Sequence, residues 1–368
     1  MMRHLLKLVW RRKSRNMMLM LEIMVAFVLV FAISAFALRN YQLYQLPTGF
    51  RYDDVWAVTI NAGDASKNEF DAATYDKFKR GLEAMPEVER VAFAGSAPYS
   101  SRSMRLDIKL PGGGPRAQTN LLEASDDYQA VAGIALEEGR WFGPLDDGAA
   151  GTPIVINRRL ARELFGRQPA LGRDVEFSGP ESENPQRLKI VGIVAEYRHA
   201  GELAEPQNAA VMRFVPELTE DGARYAVIKL APGTTRAFES TLNQRLKLIR
   251  NDWSYTIAPL SAMRGSLLKN QMAPLVVLSV IAAFMLAMVA FGLFGVLWQN
   301  TTQRIPEIGL RRAVGASAAS VYRQIIAEQA LLSSAAMAAG LLLLVQLPLT
   351  GALGESLGWP VFLAAAAV

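Results

Sequence analysis

Residues 299–329, QNTTQRIPEIGLRRAVGASAASVYRQIIAEQ, form a short charged stretch between two long apolar runs. Thr302 predicts the start of a helix because its hydroxyl can cap the free N–H groups there. Pro306 suits the first turn, where a missing N–H costs nothing. Gly315 predicts the end of this helix, and Ser317 predicts the cap of a new one. The stretch therefore predicts a short helix, a sharp turn and a second helix that continues into the next apolar run.

The apolar runs predict membrane-spanning helices. Residues 273–298 and 329–354 carry no charged side chain, and Met17–Leu38 carries one, Glu22. Each run exceeds the roughly 20 residues that cross about 30 Å of hydrocarbon. An acid inside a span is a functional candidate. Glu22 also lies close enough to the basic N-terminus for its carboxylate to reach the membrane surface, to pair with Arg15 or to contact a neighbouring helix.

The first apolar run has an alternative interpretation. A basic start followed by Ala35-Phe36-Ala37, which resembles a cleavage site, is typical of a removed signal peptide. Residues 17–38 form a longer run than the usual apolar region of about 7–15 residues. The length favours an uncleaved membrane anchor.

The distribution of charge indicates the orientation. The chain has 39 basic and 34 acidic residues and a formal charge of +5. Residues 39–272 are nearly neutral, with 29 basic and 30 acidic residues, so the excess lies beside the predicted spans. Lys and Arg mark cytoplasmic flanks. Residues 1–16 and 299–324 are therefore predicted to be cytoplasmic, and residues 39–272 extracytoplasmic. The basic residues suit anionic lipid headgroups, and nucleic acid is not an expected partner.

Residues 39–272 predict a mixed α/β domain. Apolar side chains recur at helical spacing in residues 71–85 and 234–252, where they would form one buried face, and residues 152–166 predict a short strand that runs into a helix. Other segments are rich in β-branched residues or alternate with a period of two, which is typical of strands. These strand-like segments are residues 53–60, 103–110, 187–198 and 225–233.

The sequence offers no catalytic, cofactor or metal constellation. The only histidines are His4 and His199, expected to be solvated, and there is no cysteine. Zinc sites need a Cys/His cluster. Adjacent acids such as those at 126–127 and 146–147 point in different directions on regular structure and lack the calcium-loop pattern. The dipeptide Gly-Lys never occurs, so the phosphate-binding P-loop is absent. The chain is predicted not to be an enzyme.

The charged stretch favours a docking surface for another protein. The positive-inside rule explains its arginines but not the apolar residues among them. Glu307 and Arg311 lie four apart in the order that supports a helix, so a helix is expected to present those apolar side chains. They are Ile305, Ile308, Leu310 and Val314.

Several segments carry a family resemblance. Residues 292–317, GLFGVLWQNTTQRIPEIGLRRAVGAS, resemble the signature of the FtsX-like permeases of type VII ABC transporters, which include the MacB-type permeases. The outer segment contains LEEGRWF, VINRRLARELFG, LGRDVEF and LKIVGIVAEYR, which resemble the periplasmic core domain of that family in the same order. The N-terminal RRKSRN is also similar. The resemblance covers nearly the whole chain.

The resemblance implies that residues 299–324 hold a coupling helix, which docks a cytoplasmic ATPase on a separate subunit. Ile308 and Leu310 would fill a cleft on the ATPase, while Arg311 and Arg312 would pair with acids or lipid headgroups. Hydrolysis of ATP would then move the membrane helices and the outer domain, an action called mechanotransmission. The residues implied in docking are Arg304, Ile305, Glu307, Ile308, Gly309, Leu310, Arg311, Arg312, Val314 and Gly315.

The resemblance also implies the partners and the place. Two permeases, identical or homologous, would pair in the bacterial inner membrane, with or without a periplasmic adaptor protein. Export or extraction of a substrate is the expected function. The alternative is an FtsX-like signalling or scaffold protein that regulates extracytoplasmic cell-wall hydrolases. An anchored ectoenzyme is disfavoured by the missing chemistry.

The expected fold is a membrane α-helical permease module with a large, two-lobed α/β domain inserted after the first span. Ala336 and Gly340 have the small-xxx-small spacing of a close helix contact. The family pattern includes a fourth span, of which the last residues would form only the start. The predicted segments are 1–16, basic N-terminus; 17–38, first span; 39–272, outer domain, with an inserted lobe at about 121–207; 273–298, second span; 299–324, coupling helix and turn; 325–350, third span; and 351–368, external loop and incomplete fourth span.

Overall fold

A computed structural model of the chain describes residues 13–62, 70–149, 151–177, 186–216, 223–303, 305–315, 317–350 and 359–366. The chain divides into two compact units. The outer unit is Leu43–Gln271, and the membrane unit consists of Met1–Gln42 and Met272–Val368.

The described residues form helices and strands that we number in chain order. The helices are α1 (Lys13–Tyr44), α2 (Ala72–Glu83), α3 (Tyr128–Ala132), α4 (Arg158–Phe165), α5 (Phe238–Ile249), α6 (Leu260–Gln303), α7 (Ile305–Ala313), α8 (Ala318–Thr350) and α9 (Trp359–Ala366). The strands are β1 (Val55–Asn61), β2 (Val88–Ala94), β3 (Met104–Lys109), β4 (Arg116–Ala124), β5 (Leu136–Gly139), β6 (Thr152–Asn157), β7 (Asp174–Phe177), β8 (Gln186–Val194), β9 (Ala209–Arg213), β10 (Tyr225–Leu230) and β11 (Ser254–Pro259).

The outer unit contains two strand arrangements that meet at β4. Strands β11, β1, β10 and β2 pair antiparallel in that order, and β2 joins β4 through the single pair Ala94 and Ala124. From β4 the order continues through β3, β7, β8, β6 and β9, and β9 pairs back with β4 in parallel. These six strands therefore form a closed ring, which leaves no free edge among them.

Each arrangement has its own hydrophobic core. Helices α2 and α5 cover one face of the four-stranded sheet, where Phe78, Leu82 and Leu242 are fully buried. The interior of the ring is filled by aliphatic side chains such as Ile154 and Leu188 together with α4. The cores form because apolar positions repeat every two residues in the strands and every three or four in the helices.

Two helix starts in the outer unit are fixed by side-chain caps. The Asp71 carboxylate accepts a hydrogen bond from the Thr74 amide at 2.8 Å, and the Asn157 side chain accepts one from the Leu160 amide at 3.0 Å. Such caps satisfy donors that the helix itself leaves free. Asn157 is fully buried, so this cap also belongs to the core of the outer unit.

The membrane unit is built around α1. Three helices are long and apolar enough to cross a membrane among the residues described: Met20–Tyr44, Leu260–Gln303 and Ala318–Gln346. On α1, Ile23 and Ala26 pack with Val289 of α6 and with α8, while Phe31 and Ala35 pack with α8 and α9.

The predicted strands at 53–60, 103–110, 187–198 and 225–233 are confirmed by β1, β3, β8 and β10. The predicted helices at 71–85 and 234–252 are confirmed by α2 and α5, and the predicted strand and helix of residues 152–166 are confirmed by β6 and α4. Strands β2, β4, β5, β7, β9 and β11 were not predicted from the sequence.

Candidate functional site

The charged stretch folds as a helix, a turn and a helix. Pro306 lies in the first turn of α7, and Gly315 has a φ of 99°, a left-handed conformation that ends the helix and that glycine adopts without strain. The Ser320 amide donates to the Ser317 hydroxyl at 3.3 Å, so Ser317 caps α8 as predicted. The prediction for Thr302 is wrong: it lies inside α6, where its hydroxyl donates to the Trp298 carbonyl at 2.8 Å.

Helix α7 exposes apolar side chains. Ile305 is 60% exposed, Leu310 is 69% exposed and Val314 is 84% exposed. Ile308 is only partly exposed. Exposed aliphatic groups on a short helix gain free energy when a partner removes them from water, by about 25 cal/mol for each Å² buried. The chemistry of this surface is therefore that of an interface and not of a catalyst.

The helical period divides these apolar residues between two sides of α7. Leu310 and Val314 are four residues apart and lie on the same side. Ile308 and Leu310 are two residues apart, which rotates their side chains by about 200° around the axis. The two side chains therefore lie on different sides of α7, and the contact of both with one cleft stays a prediction.

The remaining predicted docking residues have no described side-chain contacts. Arg304 lies outside the described residues. The structure describes the backbone of α7 at Glu307, Arg311 and Arg312, but their side chains lie outside the description. Gly309 is exposed, and a Cβ there would meet nothing within 4 Å.

A second region of interest is the root cluster, which consists of Tyr44, Tyr99, Arg198, Glu202 and Arg264 in the outer unit. Arg198 is 3% exposed. Its guanidinium donates to the carbonyl oxygens of Leu43 at 3.2 Å and Leu46 at 3.0 Å. It also donates to the carbonyl oxygens of Glu202 at 2.5 Å and Ala204 at 2.6 Å. One buried side chain thus ties the end of α1 to the loop that follows β8.

Arg264, in the second turn of α6, joins the same cluster. Its guanidinium pairs with the Glu202 carboxylate at 2.5 Å, donates to the Tyr44 hydroxyl at 3.1 Å and stacks over Tyr52 at 4.7 Å. The Tyr99 hydroxyl donates to the same carboxylate oxygen of Glu202 at 3.1 Å. Burial, and then the Glu202 carboxylate, raise the pKa of Tyr99, so this phenol stays protonated and acts as a donor.

The root cluster brings together the last turn of α1 and the first turns of α6. These are the two places where the chain passes between its two units. The sequence interpretation did not identify this cluster. The available signals were Arg198, which directly follows a buried strand, and Arg264, which precedes an apolar run.

The predicted helix contact at Ala336 and Gly340 lies on the side of α8 that packs on α1. Ala336 is 1% exposed and clusters with Ile23 and Ala26. A Cβ built on Gly340 would lie 2.9 Å from Cδ1 of Phe27, closer than carbon atoms pack. The spacing of small residues therefore coincides with a close approach of two helices.

Glu22 of α1 lies against α6. A Cβ built on Gly292 would lie 3.2 Å from the Glu22 carboxylate. Of the alternatives open for Glu22, this arrangement corresponds to the contact with a neighbouring helix. The side chain of Arg15 lies outside the described residues.

The adjacent acids of the outer unit are used in ion pairs. Asp146 accepts two hydrogen bonds from Arg140, which hold the pKa of this carboxyl below its usual range. Asp126 and Asp147 both pair with Arg213. Across the described residues, no group of three or more His, Asp or Glu side chains could hold a metal ion.

His199 is partly buried, so the prediction of a solvated side chain is wrong. The backbone places it there because its carbonyl oxygen accepts from the Tyr99 amide at 2.7 Å. Burial, and then the charge of Arg105, lower the pKa of His199.

These features define a class of protein: a membrane protein with apolar spanning helices, an exposed helix between two of them and a β-rich domain outside the membrane. Comparison with known families agrees with this class. Residues 17–244 match the model of the MacB-like periplasmic core domain, and residues 279–350 match the FtsX-like permease C-terminal region. The chain belongs to the MacB/FtsX family of ABC transporter permeases, and it is a membrane-embedded permease with a periplasmic domain.

Two curated relatives show the extent of the similarity. The chain is 25% identical over 271 residues to the pyoverdine export ATP-binding/permease protein PvdT of Pseudomonas aeruginosa, covering 71% of this chain and 38% of that protein. It is 27% identical over 251 residues to the macrolide export ATP-binding/permease protein MacB 1/2 of Paracoccus denitrificans, covering 66% of this chain and 36% of that protein. The chain thus spans less than two fifths of the length of these relatives.

Other relatives differ in coverage. The chain is 22% identical over 218 residues to the ABC transporter permease YknZ of Bacillus subtilis, covering 58% of this chain and 52% of that protein. Among solved structures, the periplasmic region of MacB from Actinobacillus actinomycetemcomitans has a TM-score of 0.42 and 13% identity, and the match covers 61% of this chain and 97% of that one.

Proposed function

We propose that the chain is the permease subunit of an ABC transporter that couples ATP hydrolysis by a separate cytoplasmic ATPase to movement of its outer domain. In this proposal α7 is the coupling helix in the cytoplasm, the N-terminus is also cytoplasmic, and the outer unit lies in the periplasm. Two permeases pair in the inner membrane, with or without a periplasmic adaptor, and the movement exports or extracts a substrate.

The observation that carries the proposal is the exposed apolar surface of α7. This helix lies inside the region that matches the FtsX-like permease model. Leu310 and Val314 share one side of it and are the most exposed of its aliphatic side chains. A few buried apolar side chains dominate the binding energy of most interfaces, while charges at the rim contribute less. Leu310 and Val314 are therefore the proposed contacts with the ATPase.

The turn after α7 supports a coupling role. Gly315 ends α7 in a left-handed conformation, and Ser317 caps the start of α8 two residues later. A short connection closed by a cap gives little freedom between α7 and α8. A displacement of α7 would therefore be passed to α8, which packs on α1 through Ala336 and Gly340.

The root cluster is the place where the proposed movement reaches the outer domain. Helices α1 and α6 each run without a break into the outer unit, where Arg198 and Arg264 hold their ends. A movement of these helices would therefore act on the loop that follows β8. We propose that this contact transmits the movement to the outer domain, so that substrate need not pass between the membrane helices.

Co-purification of an ABC ATPase of the host with the permease tests the proposal. The variant Leu310→Asp/Val314→Asp should lose the ATPase, since burying two new carboxylates without partners is strongly unfavourable. Permease-dependent ATP turnover should be lost with it. The control is Leu145→Asp/Leu248→Asp, which makes the same chemical change at two exposed leucines of the outer unit. Full ATPase binding by the α7 variant would overturn the proposal.

A further inference from the structure

The outer unit contains a polar cavity of about 300 Å³ between β3, β4, α4 and the segment before β9. Pro206 alone is apolar among the described residues that line it. We propose that this cavity binds a small, hydroxyl-rich anion, about the size of one sugar unit, that carries a phosphate or a carboxylate.

The floor of the cavity is held in place before any ligand arrives. The buried Asn157 side chain donates to the Gln207 carbonyl at 2.8 Å and accepts from the Ala209 amide at 3.1 Å. These bonds fix the segment on either side of Asn208. The Asn208 side chain in turn donates to the Gln118 carbonyl at 2.9 Å and to the Glu163 carboxylate at 2.8 Å.

A second layer of amide contacts completes the floor. The Asn120 side chain donates to the Gln207 side-chain oxygen at 2.7 Å, and the Asn120 amide donates to the Asn208 carbonyl at 3.0 Å. Groups that are already oriented lose little conformational entropy when a ligand binds. The floor therefore offers fixed amide groups, which suit a ligand with several hydroxyls.

The charge of the cavity favours an anion. Arg105 of β3 lies directly opposite Asn120 of β4, and Arg159 lies in the first turn of α4. Both arginines are exposed. Within the described part of the chain, neither arginine forms an ion pair, whereas the carboxylate of Glu163 is already engaged by Asn208. Guanidinium groups recognise phosphate and carboxylate through paired N–H donors.

The size and polarity of the cavity define the ligand further. Its volume is at the lower end of the roughly 300–1,000 Å³ that ligand pockets occupy. Most such pockets are lined by apolar groups, and this one is not, so an apolar ligand gains little here. The match to a charged, hydroxylated ligand follows from the lining itself and does not depend on the proposed ATPase contact.

The proposal is tested by calorimetric titration of the full chain in nanodiscs. The probes are glucose 6-phosphate, glucuronate, inorganic phosphate and glucose. Saturable binding of glucose 6-phosphate or glucuronate, at least tenfold tighter than that of glucose, is expected because glucose lacks the charge. Equal binding of inorganic phosphate and glucose 6-phosphate would show that the hydroxyls contribute nothing, which would overturn the sugar-sized ligand.

Three variants assign the binding to this cavity. Arg105→Gln and Arg159→Gln should each weaken binding on the order of tenfold, because each removes a charged donor. Glu163→Gln should strengthen binding, since it removes a negative charge from the wall while an amide oxygen can still accept from Asn208. Arg162→Gln is the matched control on the same helix; it is exposed and does not line the cavity.

The two arginine variants are expected to weaken binding, whereas Glu163→Gln is expected to strengthen it. Misfolding cannot explain both results, because a damaged outer unit cannot bind more tightly. Binding that is unchanged in both Arg105→Gln and Arg159→Gln would overturn the proposal. An equal loss in Arg162→Gln, or no saturable binding of any anionic probe to the wild-type chain, would also overturn it.

Discussion

Helix α7 and the root cluster differ in the kind of side chain that they expose or bury. On α7, aliphatic side chains such as Leu310 and Val314 are exposed and have few internal contacts. In the root cluster, the charged side chains of Arg198 and Glu202 are buried and bonded to groups from several elements. Apolar groups in water are stabilised by a partner, whereas buried charges are tolerated only when their partners are already present.

This difference indicates which of the two regions is available to bind another molecule. The α7 surface is incomplete without a partner, so its function is expected to be an interface. The described partners of the root cluster all come from one chain, so its function is expected to be internal, as a connection between helices and the outer domain. Variants in the first should change binding without unfolding, while variants in the second should change the stability of the outer unit.

The largest effect is expected from Arg198→Met. The substitution leaves four carbonyl oxygens without their buried donor, at a cost of about 1–3 kcal/mol for each group that stays unsatisfied. A total loss of about 3 kcal/mol would lower the melting temperature of the outer unit by roughly 6–12 °C. Thermal unfolding followed by tryptophan fluorescence gives this value. The exposed Arg167→Met is the control, and an equal change in both would show that the root cluster does not stabilise the unit.

The next effect separates the two sides of α7. Leu310→Asp should weaken ATPase binding by tens of fold, because hot-spot residues each contribute more than about 1–2 kcal/mol. Ile305→Asp, on the other side of the helix, should weaken it by less than about threefold. Surface-immobilised permease and soluble ATPase provide the two dissociation constants. If Ile305→Asp has the larger effect, the docking side is the one that carries Ile305 and Ile308.

A smaller effect is expected at the contact between α8 and α1. In Gly340→Leu the new side chain overlaps Phe27, so we expect a loss of about 1–3 kcal/mol, which is the usual cost of overpacking. Gly295→Leu is the control, because a Cβ at Gly295 meets nothing within 4 Å. Both variants are compared by thermal stability in detergent. Equal stability would show that α8 does not approach α1 closely at this position.

The smallest effect concerns pH. Burial lowers the pKa of His199 in the folded protein, so the unfolded chain binds a proton more readily. The contribution is present above the unfolded pKa of about 6.5 and is lost as the pH falls below it. Unfolding of wild type and His199→Gln between pH 7.5 and 5.5 (roughly the range around that pKa) isolates it. The same pH dependence of stability in wild type and in His199→Gln would refute the assignment to His199.

The parts that could be predicted from the sequence are those specified by local chemistry. Pro306 suits the first turn of α7, Gly315 ends that helix and Ser317 begins α8, and each acts through its own backbone or a near neighbour. Thr302 failed as a cap because α6 continues through it, and a hydroxyl inside a helix bonds to the carbonyl four residues earlier.

The root cluster could not be predicted, because it depends on contacts between distant parts of the chain. Arg198 is 155 residues from Leu43, and Arg264 is 220 residues from Tyr44. The closure of the ring between β4 and β9 could not be predicted for the same reason. The polar cavity is also assembled from distant segments, so none of its residues forms a recognisable motif in the sequence.

The central claim is that an ATPase bound at α7 acts on the outer domain through the root cluster. Hydrogen–deuterium exchange of the purified permease mixed with purified ATPase, with and without ATP and vanadate, tests it most directly. The account predicts that nucleotide changes exchange in residues 43–50 and 197–204 of the wild-type chain, and that Leu310→Asp/Val314→Asp abolishes the change. The same nucleotide-dependent change in that variant, or none in the wild-type complex, would contradict the account.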